Sequence, residues 1–279
     1  MSKPFGDDAW WDESWNPVVG CFPVSPGCTN CYAAQLAGTY TWPTGEKALH
    51  YGLTISKGTR RIFNGKINVT PPRHSVWTVP LRLPRAANPK LGPGQPLLIF
   101  VVDMGDIFYE DRPTPIINRV CATIAQSEHI GLIVTRCTRR AAEYFTALDV
   151  RTVRRWQPQL WLGFSAENQE WFARRWADMR RLADAGWFIF VSIAPMLGPV
   201  TLPDDFLALG KRTWVIVAGE QGKPHKICRP MEADWARALR DQCRPSGIPF
   251  FLKQMAKSEP IPPGLLIREF PSPSRSGEM

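Results

Sequence analysis

The chain has 279 residues, 44% of them hydrophobic and 21% charged, a balance that supports a folded core and excludes wholesale disorder. No apolar run approaches the roughly 20 residues needed to span a bilayer, and the start MSKPFGDDAWW lacks the basic-then-apolar layout of a secretory signal, so a cytoplasmic protein without a membrane partner is expected. The 34 Lys and Arg against 25 Asp and Glu leave a formal charge of +9, which favours polyanionic partners such as nucleic acid.

Residues 1–14 are polar around Trp10 and Trp11 and read as an arm that packs by its aromatics. Pro17 to Gly20 reads as a short strand entering a loop that holds Cys21, Cys28 and Cys31, three of the seven cysteines. In a reducing compartment clustered thiolates point to a soft metal before disulfides. A closed structural site takes four protein ligands, whereas three leave one metal position open for chemistry. YAAQLAGTY, rich in helix formers, predicts the first helix. From about 41 to 95 prolines break every pattern, and this segment reads as an insertion of short strands or turns, SVWTVPLRLP among them, packed over the main domain.

Regularity begins at residue 97. LLIFVVD, GLIVTR, LWLGFS, FIFVSIA, TWVIVA and IPFFLK are apolar runs of the kind found in buried parallel strands. Between them helices are expected from Pro113–Thr114, over about 138–148, from Gln169 to Ala185 and around Glu232–Gln242. In the long one Phe172, Trp176, Met179 and Ala183 form the apolar stripe, and Arg174, Arg175, Arg180 and Arg181 read as a solvated face. With the short strand before the cysteines the strand count reaches seven. The expected fold is therefore α/β: a partial (βα)6-type or near-complete TIM-like parallel barrel with an inserted irregular segment, spanning 15–256. A doubly wound sheet is the alternative that hydrophobic pattern does not separate. Residues 257–279, with Pro260, Pro262, Pro263, Pro271 and Pro273, read as a surface tail.

Functional groups of parallel α/β folds gather at the C-terminal ends of strands. Those ends carry the three cysteines; Met104 and Asp106, with Tyr109 beyond; Thr135 and Arg136; Ser165, Glu167 and Asn168; Ala194; Glu220; and Lys253. Each has a plainer reading as well. The cysteines suit structural zinc with a fourth ligand from His50, His225 or Cys228, Glu167 and Asn168 suit a helix cap, and Arg136 suits a surface charge. Cys121, Cys137 and Cys243 read as small buried hydrophobes.

The motif CysX6CysX2Cys, with Asn16-Pro17 and Gly20 before it and Tyr32 after, resembles the cluster loop of radical S-adenosylmethionine (SAM) enzymes, nearest the spore-photoproduct-lyase-like branch. Gly105-Asp106 through Glu110, Val134-Thr135-Arg136, Phe164-Ser165 and Ala194-Pro195 resemble later stretches of that branch in order. WNPVVGC…SPGCTNCYA, VDMGDIFYED, LGFSAENQ, MLGPV, VIVAGEQG and PFFLKQM are together similar to a phage and bacterial three-cysteine-motif family, across roughly residues 15–256. The common spacing of radical-SAM loops is CysX3CysX2Cys, and the first gap here is six residues, FPVSPG.

The resemblance implies that Cys21, Cys28 and Cys31 hold a [4Fe–4S] cluster whose fourth iron takes SAM. It places Tyr32, Met104, Asp106, Thr135, Arg136, Ser165, Asn168 and Ala194 around that cofactor, with Arg136 on the SAM carboxylate. Tyr109, Glu167, Glu220 and Lys253 are left for catalysis on the substrate. It further implies an electron donor such as flavodoxin or ferredoxin and a nucleic-acid base as substrate. One concrete reaction is an isomerase-type rearrangement of an amino-acid-modified thymine during bacteriophage DNA hypermodification. A repair-type lyase acting on a base and a non-catalytic zinc-binding DNA-binding protein are the rival expectations.

Overall fold

The apolar runs become one sheet. A computed structural model describes residues 9–40, 42–45, 48–84, 90–221 and 228–272. Its main sheet holds β1 (Glu13–Trp15), β2 (Leu98–Val101), β3 (Ile130–Thr135), β4 (Leu160–Ala166), β5 (Ile189–Ile193), β6 (Thr213–Ala218) and β7 (Phe250–Gln254). All neighbours are parallel and the spatial order follows the chain from β1 to β7. A doubly wound sheet requires a reversal of strand order; here there is none, so successive crossovers lay their helices on one face. Within the described residues β1 and β7 do not pair with each other, and the seven strands form a curled half-barrel.

The helices are α1 (Tyr32–Ala37), α2 (Thr114–Gln126), α3 (Thr138–Thr146), α4 (Val150–Trp156), α5 (Gln169–Asp184) and α6 (Ala233–Ser246). Alternation along each strand divides the core in two. Ile99, Val101, Ile133, Leu162, Val191 and Val215 pack outward on helix residues such as Val120, Phe172 and Met179. Leu98, Leu132, Trp161, Phe190, Trp214 and Phe251 face the concave side, where Trp10 and Trp11 join them. The Trp10 ring centroid lies 4.8 Å from that of Phe100 and 5.9 Å from those of Phe190 and Trp214. The arm thus fills the half-barrel near the strand starts with its two indoles and leaves the strand ends hollow.

Several expectations need correction. The first sheet strand is Glu13–Trp15, inside what reads as the arm, because a three-residue edge strand carrying Glu13 and Ser14 has no apolar period to announce it. Val18–Val19 pairs instead, antiparallel, with Asn68–Val69 of the insertion. SVWTVPLRLP is helical: a 3-10 turn over Ser75–Thr78 runs into a single turn at Val79–Arg82, where Pro80 occupies the first turn, a position that tolerates it. A second helix, α4, follows α3 and is capped by Asp149, whose side chain accepts the Thr152 N–H. Residues 265–270 are not a loose surface extension. Phe270 packs on Trp214 and Phe251, the Leu252 N–H donates to the Ile267 carbonyl (2.9 Å), and the free edge of β7 is thereby covered.

Trp10→Ala removes the centre of the concave core and should cost about 3–5 kcal/mol of unfolding free energy, read from the denaturant midpoint at constant slope. An unchanged midpoint would contradict the structural role of the arm.

Candidate functional site

The cysteine loop starts from a contact only glycine permits. Gly20 has φ +104°, and a Cβ there would stand 2.2 Å from the Lys66 carbonyl oxygen. Its N–H donates to the Met104 carbonyl (3.1 Å). Its own carbonyl accepts from the buried Arg112 guanidinium (3.0 Å), which also donates to the Asp106 carbonyl (2.9 Å). Burial draws Arg112 down to about 10, with Asp106 as the main opposing charge. Chain direction at Cys21 is thus set by the end of β2. Val102, next to that end, holds φ +57°, a backbone state costly for a β-branched residue.

The long first gap has a mechanical explanation. From Cys21 the loop crosses to the ends of β4 and β6 and is fastened at both. Ser25 Oγ donates to Glu167 Oε1 (2.7 Å) and lies 3.8 Å from Cys28 Sγ. A Cβ on Gly27 would be 2.3 Å from the same Glu167 oxygen, so the loop lies flat on that carboxylate. Farther on, the Pro26 carbonyl accepts from Arg229 Nη1 (2.9 Å) and Asn30 Nδ2 donates to Glu220 Oε2 (2.7 Å). Glu220 in turn accepts the Arg229 backbone N–H (2.9 Å) and is clasped by the Arg229 guanidinium.

One cavity opens at these strand ends. Cys21, Cys28, Cys31, Tyr32, Arg136, Ser165, Ala194, Glu220 and Lys253 line it, so nine of the residues expected at the site are brought together. Ser165 faces its register partner Ser192, and Lys253 Nζ sits 5.4 Å from the Trp11 ring centroid, over a floor shared with Trp10. Tyr32 Oη donates to the Asp103 carbonyl (3.0 Å).

The other expected residues serve the frame. Met104 packs with Val19, Ala33 and Phe63 beneath the cysteine loop. The Asp106 carboxylate accepts from Thr135 Oγ1 (2.7 Å), the Arg136 N–H (2.8 Å) and the Phe108 N–H (2.9 Å), which locks the end of β3 to that of β2. Thr135 is spent in the same lock, also accepting the Cys137 N–H. Asn168 caps α5 by accepting the Trp171 N–H (3.1 Å), the plainer of its two readings. Tyr109 stacks on Phe22 outside the cavity lining. Glu167 is fully buried and accepts from Arg136 Nε (3.2 Å) and Arg175 Nη1 (3.0 Å) as well as Ser25. Arg175 therefore belongs to the interior and not to a solvated helix face.

Residues that the strand-end reasoning missed include Asn30, Ser192 and the Trp10-Trp11 pair, while Asp103, which leaves β2 beside Met104 and Asp106, lines the cavity where those two do not. Asp103 accepts from Ser14 Oγ (3.1 Å) and from Asn16 Nδ2, so the Asn-Pro dipeptide before the loop holds the carboxylate that Asp106 was expected to supply. Ser192 is a lone hydroxyl inside an apolar strand, two residues before Ala194.

Burial and the neighbouring charges shift the ionisable groups of the site. Burial, then Asp106 and the neighbouring Cys31 and Cys28 thiols, push the Cys21 thiol up. Burial also raises Cys31, against hydrogen bonds from the backbone of α1 and the charge of Arg136. Burial opposes the charge on Arg136, yet Cys28, Glu167, Cys31 and Cys21 around it hold it above the ordinary range. Among the described residues no group of three or more His, Cys, Asp and Glu forms a site for a single metal ion. The three cysteines line one cavity, and an all-thiol donor set is the kind that suits a polynuclear cluster, which takes each thiolate on a different iron. His225 lies outside the described residues; Cys228 is buried, and Cys121 and Cys243 are buried thiols pushed up to about 12.

The model of a family described as proteins of unknown function, DUF5131, matches residues 7–262, and the chain belongs to that family. No curated protein and no solved structure matches the chain.

Two outcomes test this frame. Glu167→Ala strands the buried Arg175 charge and should cost about 3–5 kcal/mol, whereas Ser25→Ala should cost about 1 kcal/mol; equal small losses in a denaturant titration would contradict the hub. Glu220 is held below its ordinary value of 4.5: desolvation raises it, but hydrogen bonds from Arg229 and Asn30 prevail. A depressed carboxylate stabilises the fold above its unfolded pKa and loses that contribution as pH falls through the folded one. Glu220→Gln should therefore flatten the decline in stability below pH 4.5, measured as Tm against pH.

Proposed function

We propose that this member of the family is a radical SAM enzyme whose Cys21, Cys28 and Cys31 hold a [4Fe–4S] cluster. The observation that carries the reading is the placement of three thiols from one loop, with Arg136, around one cavity at the C-terminal rim of a parallel half-barrel. When bound, a cluster with SAM at its open iron supplies, on reduction, a 5′-deoxyadenosyl radical able to take a hydrogen atom from substrate.

The chain's own residues do the positioning. Arg136, oriented by Glu167 through Nε, offers a cation to the SAM carboxylate. Asp103, steadied by Asn16 and Ser14, faces the amino group in place of Met104 or Asp106. The hydroxyls of Ser165 and Ser192 suit a ribose, and the backbone at Ala194 suits adenine. Trp10 and Trp11 close the floor and keep water from the reacting centre. Lys253 remains on the substrate side and Tyr32 beside the cofactor, while Glu167, Glu220 and Tyr109 pass from catalytic roles to holding the loop and its surroundings.

For the substrate, the basic charge and the resemblance to a base-acting branch favour a nucleobase, and an isomerase-type rearrangement of an amino-acid-modified thymine in phage DNA is the reaction we favour. Flavodoxin or ferredoxin would deliver the electron. No helix of the described residues is long and apolar enough to cross a membrane.

Anaerobically reconstituted protein should be brown, bind about four irons and cleave SAM once reduced, and Cys28→Ala should abolish iron and cleavage together. Colourless protein with one zinc and no SAM cleavage would overturn the enzyme reading. Mass spectrometry of modified nucleosides after incubation should show rearrangement at unchanged mass; a lost fragment would mark a lyase instead.

A further inference from the structure

The positive charge of this protein is not spread over it. Residues 47–102 contain nine Lys and Arg and no Asp or Glu, which leaves 25 bases against 25 acids in the rest of the chain. The insertion between α1 and β2 carries those nine bases and a single acid, Glu46, and so holds nearly all of the net charge of +9. A barrel core has no need of such a segregation.

That insertion stands beside the cavity mouth. Its hairpin, Thr54–Lys57 with Arg60–Phe63, packs on α1: Gln35 Nε2 donates to the Arg61 carbonyl (2.9 Å), and Gly38 makes room for the Arg61 side chain. The Gly65 N–H donates to the carbonyl of Cys21 itself (3.2 Å). Phe63 turns inward and is buried, so the opposite face of the ribbon, with Ile55, Lys57, Arg60 and Ile62, points outward. Lys57 and Arg60 are register partners at its tip, and Lys66 is exposed next to Gly65. The same insertion carries exposed large apolar side chains, Trp42 (76% accessible), Tyr51 and Ile55, and Phe22 is exposed at the cavity edge.

We infer that the insertion is a docking surface for a nucleic-acid strand, which it holds by its phosphates through Lys57, Arg60 and Lys66 and by base stacking on Trp42, so that one nucleotide reaches the cavity. Bases without acids suit a phosphate backbone, and exposed aromatics among them suit unstacked bases, the pairing found in single-strand binders. The inference deepens the nucleobase reading and rests on it only for what binding is for.

Binding is measured without SAM or reductant, so this test and the SAM-cleavage test fail independently. A fluorescein-labelled single-stranded oligonucleotide of about 20 nucleotides is titrated by anisotropy at several salt concentrations. Wild-type protein should bind with a steep salt dependence. K57E/R60E/K66E should weaken binding at least about tenfold and flatten the log–log salt slope by about 2. R151E/R154E/R155E, the same charge change on the exposed face of α4, should shift affinity less than about threefold. Trp42→Ala should weaken binding roughly tenfold with the slope unchanged. Thermal melting checks that each variant folds; if the first triple does not, Lys57→Gln with Lys66→Gln takes its place. Equal losses in both triple variants, absence of wild-type binding, or displacement of the oligonucleotide by polyglutamate as readily as by unlabelled DNA would overturn the inference, the last in favour of an acidic protein partner.

Discussion

Glu167 has no access to solvent, and a carboxylate in that position is tolerable only while its partners stay in place. Arg175 reaches it from α5, Arg136 from the end of β3 and Ser25 from the cysteine loop. Sheet, helix layer and loop thus share one buried charge, and none of the three can shift alone without uncovering it. The cavity has a defined shape because of this constraint. Its cysteines are carried on a loop with little regular structure, and such a loop holds position only when bolted at several points.

The second bolt, Glu220 with Arg229 and Asn30, lies two strands farther round the rim. A gap of three residues between the first two cysteines would leave less chain to reach both carboxylates. With six, Ser25 and Pro26 sit over β4 and β6 while Cys21 stays beside β2. The six-residue gap lets the loop reach both carboxylates, and Gly27 is placed where it touches down on Glu167.

Much of this was legible in the sequence. The six apolar runs after residue 97 announced six strands because strands buried on both faces need no alternation, and the polar residues that end them marked the rim. Which side of the rim they face was harder. Asp103 and Asp106 both follow β2, yet one lines the cavity and the other ties two strands together, a difference made by the turn through Val102. Glu167 reads as a free carboxylate until Arg175, about two helical turns on along an apparently solvated stripe, turns inward. Glu13–Trp15 carries no periodic signal, and the helical turns of the insertion hide behind their prolines. The strand that pairs with Glu13–Trp15, β2, is distant in sequence, and local pattern holds no record of it.

Trp10 carries a consequence for synthesis. Its partners Phe190 and Trp214 lie roughly two hundred residues downstream, so the indole that completes the concave core is made first and satisfied almost last. During translation the arm meets Phe100 of β2 first, and the surface that buries its indoles is completed only when β5 and β6 have emerged. Contacts this long in range slow folding and expose the nascent chain to aggregation. The concave core therefore has no early, self-sufficient half: Trp10 ties its completion to strands as late as β6.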